Sequence, residues 1–583
     1  MGPVAAVLLT VAQLNASHVA VPTILPPHSR IHVTTVASDS GTQEGSASVP
    51  FCWRISATQI LSFTTMFFPE RRDDLGRAVL AVEHPSSSMV KQYDHGEPRC
   101  SVGEPGRMFR RGKSLSIKRW IIVLADASHS PNRSYHSATM ISKISPPLEH
   151  INLQGGWPTP NLHPSKAMGV AVSAVFRQKD IDMQLRYGPE CGSGSFRENI
   201  GKWLTEMYAP AVGAVPAEHI IITNGASNGL ATVLQKFADP KYTRAVWMVE
   251  PTYFLACPIF RDAGLAGKIH GVPEGDDGVD LDFLRNALQE ADDKSDPLLT
   301  PSKTPEGGYG KVYRHTIYMI PTFSNPSGKT MTLDTPRELI RLARLHDALV
   351  VSDDVYDMLR WPTAEDASLD SAFPCPPRLV DVDREMEGAS AFGNSVSNGS
   401  FSKIVAPGVR VGWLEATPAF ISAMGTVGAT VSGGSQGHLA SLIVEKLLAD
   451  GVLASHIKDT LIPTYQKRWY SLTRAIKEHL HPLGVQIIST GDYKVAGGFF
   501  LYISFAGCTS PGSKIAEVAL EEFNLKIAPG AIFSVPDDPS SKERGDASYG
   551  NGARLCWAWN EEDVLVDGIK RLGEAISQAG RSA

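Results

Sequence analysis

The chain has 583 residues, 43% of them apolar and 20% charged, with a formal net charge of −6. That is enough chain to bury a large core, and the acidic balance gives no reason to expect a nucleic-acid partner; no apolar run approaches the length that spans a bilayer, so no membrane partner is expected either. The seven cysteines (Cys52, Cys100, Cys191, Cys257, Cys375, Cys508 and Cys556) are scattered without a CxxC pair, which argues against a metal site or a disulfide framework and for a reducing compartment, the cytoplasm.

Residues 1–139 read differently from the rest. They show no sustained helical or strand period, and they carry 14 basic against 10 acidic residues. Met1 to Ala16 is mildly apolar but lacks the basic start of a secretory signal. The basic cluster from Arg107 to Arg119 reads as a solvated face, because the helices and hairpin of a DNA-binding domain are not found around it. The segment is expected to be a disordered extension, with Met140 as a natural start for the patterned chain.

From there the elements follow in order. Ile151-Asn152-Leu153-Gln154-Gly155-Gly156-Trp157-Pro158-Thr159-Pro160 is a loop in which glycines permit close backbone approach and prolines stiffen the path. Leu185-Arg186-Tyr187-Gly188-Pro189 precedes an amphipathic helix with Ile200, Trp203, Leu204 and Tyr208. His219 to Thr223 reads as a buried strand, and Asn224-Gly225-Ala226-Ser227-Asn228-Gly229 opens a helix with Leu230, Leu234 and Phe237 on one face. A strand, a small-residue turn and a helix start make an anion site, since free N–H groups and the helix dipole point at it.

Ala245 to Val249 is another strand, followed by Glu250-Pro251-Thr252-Tyr253. A helix through Leu284 and Leu288 comes next, and the Pro-, Gly- and Lys-rich stretch from about 292 to 310 reads as a surface insertion. The strand Thr316 to Ile320 closes in the turn Asn325-Pro326-Ser327-Gly328. Thr335-Pro336-Arg337-Glu338 has the form of a capping box. Ala348 to Ser352 is an apolar strand ending in Asp353-Asp354-Val355-Tyr356, at the strand end where open α/β sheets bind ligands.

Residues 361–395 form a Pro- and Ser-rich excursion, and Asn394 to Asn398 is unusually polar for a strand. Then comes Ser400-Phe401-Ser402-Lys403, with Arg410 seven residues after the lysine. A desolvated lysine near another cation loses its proton readily, and a neutral amine can bond covalently to an aldehyde. The serines and Arg410 suit a phosphate held close by. A long helix over His456 to Leu480 follows, then a strand from Gly497 to Tyr502, the turn Ile527-Ala528-Pro529-Gly530, and Arg554-Leu555-Cys556-Trp557.

Taken in this order over residues 151–560, these motifs resemble the class I/II aminotransferases of fold type I. The Gln-Gly-Gly-Trp-Pro and Tyr-Gly-Pro runs are similar to the aminoadipate- and aromatic-type branch, its fungal members in particular. The resemblance implies an α/β fold: a large domain with a mostly parallel seven-stranded sheet, plus a smaller α+β domain. The implied divisions are a lead-in at 140–185 contributing to the small domain, a large cofactor-binding domain at 186–455, and a small C-terminal domain at 456–583.

The implied cofactor is pyridoxal 5'-phosphate, anchored on Lys403, which also carries the catalytic proton. Gly225, Ala226, Ser227, Ser400, Ser402 and Arg410 would surround its phosphate. Tyr253 would stack on its ring, Asn325 and Tyr356 would bond its phenolic oxygen, and Asp353 would face its ring nitrogen. Asp353 takes that part rather than Asp354 by the three-residue spacing to Tyr356. Tyr187 would reach in from the partner subunit of a homodimer. Gly156, Asn325 and Arg554 would hold the substrate, with Arg554 gripping the α-carboxylate. The implied activity moves an amino group between an amino acid and a 2-oxo acid. A lyase on the same scaffold, a carbon–sulfur lyase or decarboxylase, stays open, because the pocket selects which bond breaks.

Overall fold

The computed structural model describes residues 148–582 apart from 295–298, 368, 370–374 and 489–493. The extension expected over 1–139 lies outside these residues.

Seven strands make the central sheet. From one edge to the other they are Ile220–Thr223, Gly412–Glu415, Ser395–Ser400, Ala348–Asp353, His315–Met319, Ala245–Glu250 and Ile269–Pro273. Gly412–Glu415 alone runs antiparallel to its neighbours; the other neighbouring pairs are parallel. Helices cover both faces, so the inner strands are buried on both sides and read as continuous apolar runs such as Ala348-Leu349-Val350-Val351. The carboxyl ends of the parallel strands form one rim, and the site is built there.

The polar strand Ser395–Ser400 is as buried as its apolar neighbours. Its side chains are spent on fixed partners. Ser395 Oγ donates to Asp383 at 3.2 Å, Ser397 Oγ to Asp354 at 2.5 Å, and Asn398 Nδ2 to Asp353 at 3.3 Å. Burying such groups is tolerated because each is hydrogen-bonded.

A second, smaller α+β layer follows in the chain. Its antiparallel sheet orders Gln486–Ile488, Phe500–Ser504, Gly552–Cys556 and Ala528–Pro529. Helices Ile462–His479, Gly512–Phe523 and Glu562–Ser582 pack together beside it. Ile151–Asn152 pairs with Leu525–Lys526, which ties the lead-in segment to this layer. A backbone bond from Thr252 to Phe533 (2.8 Å) and an ion pair between Arg544 and Glu250 (2.6 Å) join it to the end of the large sheet.

One local expectation changes, and two segments gain detail. The capping box at Thr335 does not form, because both side chains have other partners. The Thr335 hydroxyl donates to the Asp277 carbonyl at 3.0 Å, and Glu338 pairs with Arg285 and Arg341. The described part of the stretch read as a surface insertion does run over the surface, and it is pinned there. Lys303 Nζ donates to the carbonyls of Gln235 (2.6 Å) and Ala238, closing the carboxyl end of helix Ala226–Phe237, where a cation also suits the dipole. The excursion at 361–395 contains structure as well. Arg360–Pro362 pairs antiparallel with Val495–Gly497, and helix Leu379–Glu385 carries a buried charge network.

Candidate active site

A cavity of about 460 Å³ opens at the sheet's carboxyl rim. Its lining includes Gly156, Ala226, Ser227, Tyr253, Asn325, Asp353, Tyr356, Ser400, Ser402, Lys403, Arg410 and Arg554. Those residues span almost 400 positions of sequence, and the fold brings them together: Asp353 and Ser400 end their strands, Ala226 and Ser227 open a helix, Tyr253, Asn325, Tyr356 and Lys403 follow strand ends, and Arg554 sits within a strand of the smaller sheet.

At one end lies an anion corner. Helix Ala226–Phe237 begins after Gly225 with no side chain capping its first N–H groups, so these are free to face the cavity. Gly225 has a φ of +88°, and a Cβ there would collide with the Arg410 guanidinium. Glycine is required on both counts. Arg410 Nη2 donates to the Asn224 carbonyl at 2.9 Å, its Nη1 lies 3.4 Å from Ser402 Oγ, and Ser400 Oγ donates to Ser402 Oγ at 3.0 Å.

At the other end Asp353 is buried, accepting from the Tyr318 hydroxyl at 2.8 Å and from Asn398. Burial pushes its carboxyl up to about 7, against the pull of the Tyr318 hydrogen bond. Asp354, next in sequence, points away and accepts from Ser352 Oγ (2.9 Å) and Ser397 Oγ (2.5 Å). Strand alternation sends the two carboxylates to opposite faces.

Between these ends lies the amine of Lys403, which donates to the Gly156 carbonyl at 2.9 Å. Its Nζ stands 5.8 Å from the Tyr356 ring and 5.2 Å from the Phe499 ring. Burial pulls it down to about 8, with Arg554 acting in the same direction. Arg554 donates to Asn325 Oδ1 and to the Gln154 carbonyl, both at 2.5 Å, and its guanidinium lies 4.1 Å from the Phe500 ring centre. A Cβ on Gly156 would strike the same Phe500 ring.

One expected residue is elsewhere. Tyr187 is 86% exposed and lines a separate groove with Gly188 and His438. Other contributors were given no role by the sequence: Tyr318 and Asn398 behind Asp353, and Trp157, Phe254, Phe500 and Lys526 in the cavity wall. The polarity of the Asn394–Asn398 stretch was the one signal that pointed to Asn398.

The sequence model of the family described as "Aminotransferase class I and II" matches residues 160–544. The chain belongs to the class I and II aminotransferases. An uncharacterized protein of Saccharomyces cerevisiae is 34% identical over 450 residues, covering 73% of this chain and 96% of the relative. The aromatic-amino-acid aminotransferase 1 of Thermococcus litoralis is 28% identical, covering 73% of this chain and 88% of its own. Among solved structures, the alpha-aminoadipate aminotransferase of Thermus thermophilus, complexed with N-(5'-phosphopyridoxyl)-L-leucine, superposes with a TM-score of 0.56. It is 24% identical, and the match covers 74% of this chain and 94% of that one.

The protein is therefore a pyridoxal-phosphate-dependent aminotransferase of fold type I, and the family favours amino transfer over the lyase alternative. The cavity suits that cofactor. It offers cationic and N–H donors at one end, a buried carboxylate at the other, and an amine between, with a glycine where any side chain would fill the anion corner. Among the described residues, no helix is long and apolar enough to cross a membrane.

Proposed function

We propose that this aminotransferase works on amino acids with aromatic or dicarboxylic side chains and a 2-oxo acid, as a cytoplasmic homodimer in amino acid metabolism. The observation that carries the reading is the convergence of Lys403, Asp353 and Arg554 on one cavity. Pyridoxal phosphate, when bound, supplies a reactive aldehyde and a ring that draws electron density from the substrate's α-carbon. The chain's own residues do the rest.

Ser400, Ser402, Arg410 and the N–H groups following Gly225 would hold the phosphate. Asp353 would keep the ring nitrogen protonated; Tyr318 and Asn398 fix that carboxylate in place. Tyr253 would lie beside the ring, and Asn325 and Tyr356 would hold its phenolic oxygen. Arg554 takes the α-carboxylate in a two-point grip, aligned by Asn325 and stacked on Phe500. Gly156 leaves room for substrate beside that ring. Lys403, pulled down to about 8 by burial, would carry the substrate's α-proton on its amine.

The names of the relatives support aromatic and aminoadipate-type substrates. The exposed Tyr187, turned away from its own cavity, supports a dimer in which it enters the partner's site. The division at 140–185, 186–455 and 456–583 fits a lead-in and C-terminal part that share one layer. Five described cysteines are free thiols, in keeping with a reducing compartment.

The test is to incubate the full-length protein with a panel of amino acids and 2-oxoglutarate, then assay products. Glutamate formation with the matching 2-oxo acid is expected. Pyruvate with ammonia or thiol, or carbon dioxide without glutamate, would overturn the reading in favour of a lyase.

A further inference from the structure

The cavity holds a cation that the reading above leaves unused. Its lining carries four cationic side chains, Lys403, Arg410, Lys526 and Arg554, against a single carboxylate, Asp353. Arg410 is committed to the anion corner, Lys403 to Gly156, and Arg554 to Asn325 and Gln154. Among the described residues, the Lys526 ammonium makes no hydrogen bond or ion pair. We propose that Lys526 is a specificity residue that receives the distal carboxylate of a dicarboxylic amino acid or 2-oxo acid. This rests on the function proposed above and names the substrate class that the site prefers.

The placement follows from the strands. Leu525 and Lys526 pair in parallel with Ile151 and Asn152, so Lys526 stands opposite Asn152, where the segment framing the cavity begins. Leu525 is fully buried in the core, and strand alternation turns the next side chain the other way. Two residues further on, Ala528 lies directly across from Arg554 in the antiparallel sheet. Lys526 thus starts about 7 Å along the chain from the row that holds the α-carboxylate grip, at roughly 3.3 Å per extended residue. A flexible four-carbon stem spans what remains.

The walls between are apolar: Trp157, Phe254, Leu255 and Phe500. Trp157 is steadied edge-on by Trp559, with ring centres 5.7 Å apart. Such walls suit the methylene chain of a substrate carrying a charge at each end. The anions then match the cations one to one. Phosphate meets Arg410, the α-carboxylate meets Arg554, and a second substrate carboxylate is left for Lys526. A neutral side chain would leave that charge unmatched at the mouth.

The experiment uses full-length holoenzyme with Lys526→Ala, Lys526→Arg and the parent. The first readout is KM and kcat for glutamate and 2-oxoglutarate against phenylalanine. Lys526→Ala is expected to raise KM for the acidic substrates about tenfold, as for loss of one charge-assisted contact from a side chain exposed at the cavity mouth. Turnover at saturation and the phenylalanine half-reaction should change less than about twofold, and Lys526→Arg should recover most of the loss. The second readout needs no turnover: binding of glutarate against butyrate, followed by the absorbance of the bound cofactor. The parent should favour glutarate and Lys526→Ala should not. That arm reads Lys526 even if the parent transfers no amino group, so the two failures are separable. An equal fall for phenylalanine and glutamate, which marks a merely structural lysine, or an unchanged glutarate preference in Lys526→Ala, overturns the proposal.

Discussion

Two clusters of buried charge lie against opposite faces of the same central strands, and they differ in how their cations are matched. Behind the sheet, Arg378 pairs with Asp381 (3.0 Å) and with Glu415, and Arg384 pairs with Glu415 (2.9 Å) and Asp381 (2.5 Å). Asp357 accepts from the Tyr208 hydroxyl at 2.7 Å, and the Arg378 guanidinium lies over the Tyr208 ring at 4.2 Å. Asp354 belongs to this side. Each cation there has carboxylates within the cluster, and the network fixes the strand ends without facing a cavity. In front, cations outnumber acids and point into open space. Buried cations all paired with carboxylates are scaffold; cations in excess over acids and converging on a cavity mark chemistry. Residues one position apart, Asp353 and Asp354, fall on the two sides of that line.

The largest effect belongs to the front cluster. Lys403→Ala should lower kcat/KM by about a thousandfold or more, since it removes both the covalent anchor and the proton carrier. Melting temperature should hardly fall, because the lysine makes one hydrogen bond and its burial opposes its charge. Reducing the holoenzyme with borohydride and mapping the labelled peptide checks the anchor. A label on another lysine would move the site.

The pair of neighbouring carboxylates tests the comparison most directly. Asp353→Asn should depress kcat by about 100- to 1,000-fold, as for loss of one preorganised electrostatic contact. Asp354→Asn should leave kcat within a few-fold. Each carboxylate is a buried acceptor of two hydrogen bonds, so either change should cost about 1–3 kcal/mol of stability and only turnover separates them. Steady-state kinetics and urea unfolding of both variants decide it. If Asp354→Asn is the inactive one, the assignment is off by one residue.

Acidity separates the clusters next. Lys403 is held near 8 by burial, below the ordinary 10.5, so between those values its amine is neutral where a free lysine is charged. In cofactor-stripped protein, the rate of covalent capture of pyridoxal phosphate should rise about tenfold per pH unit below 8 and then level off. A profile still rising toward 10.5 would show that the lysine is not desolvated.

How far the sequence could be read follows the same division. The front cluster was legible because it is strung on turns and strand ends with fixed chemistry, such as Ser-x-Ser-Lys, Asn-Pro-Ser-Gly and Asp-x-x-Tyr. The seven-stranded sheet was legible from its apolar runs. The rear network was not, because Arg378, Asp381 and Glu415 look like surface charges until the fold buries them together. Lys303 was not legible for a related reason: composition marks its stretch as a surface segment, which it is, but cannot show that one ammonium closes a helix end. Thr335 shows that a local capping pattern yields when tertiary partners are better placed.

The smallest effect concerns the segment before the patterned chain. Residues 1–139 carry a net positive charge on an otherwise acidic protein and show no apolar face with helical or strand period. Ordering a segment costs about 1–2 kcal/mol per residue in backbone entropy, and an unpatterned one has little burial to offset it. Both charge clusters, and the cavity lined by the front one, are built wholly from residues after 150. A chain beginning at Met140 should therefore fold, bind pyridoxal phosphate and turn over like the full-length protein, with stability within about 0.5 kcal/mol of it, the range of changes that touch no packed feature. Thermal unfolding and cofactor absorbance of the two chains, measured side by side, check this. Loss of solubility or of cofactor in the shorter chain would make the segment part of the fold and move its boundary.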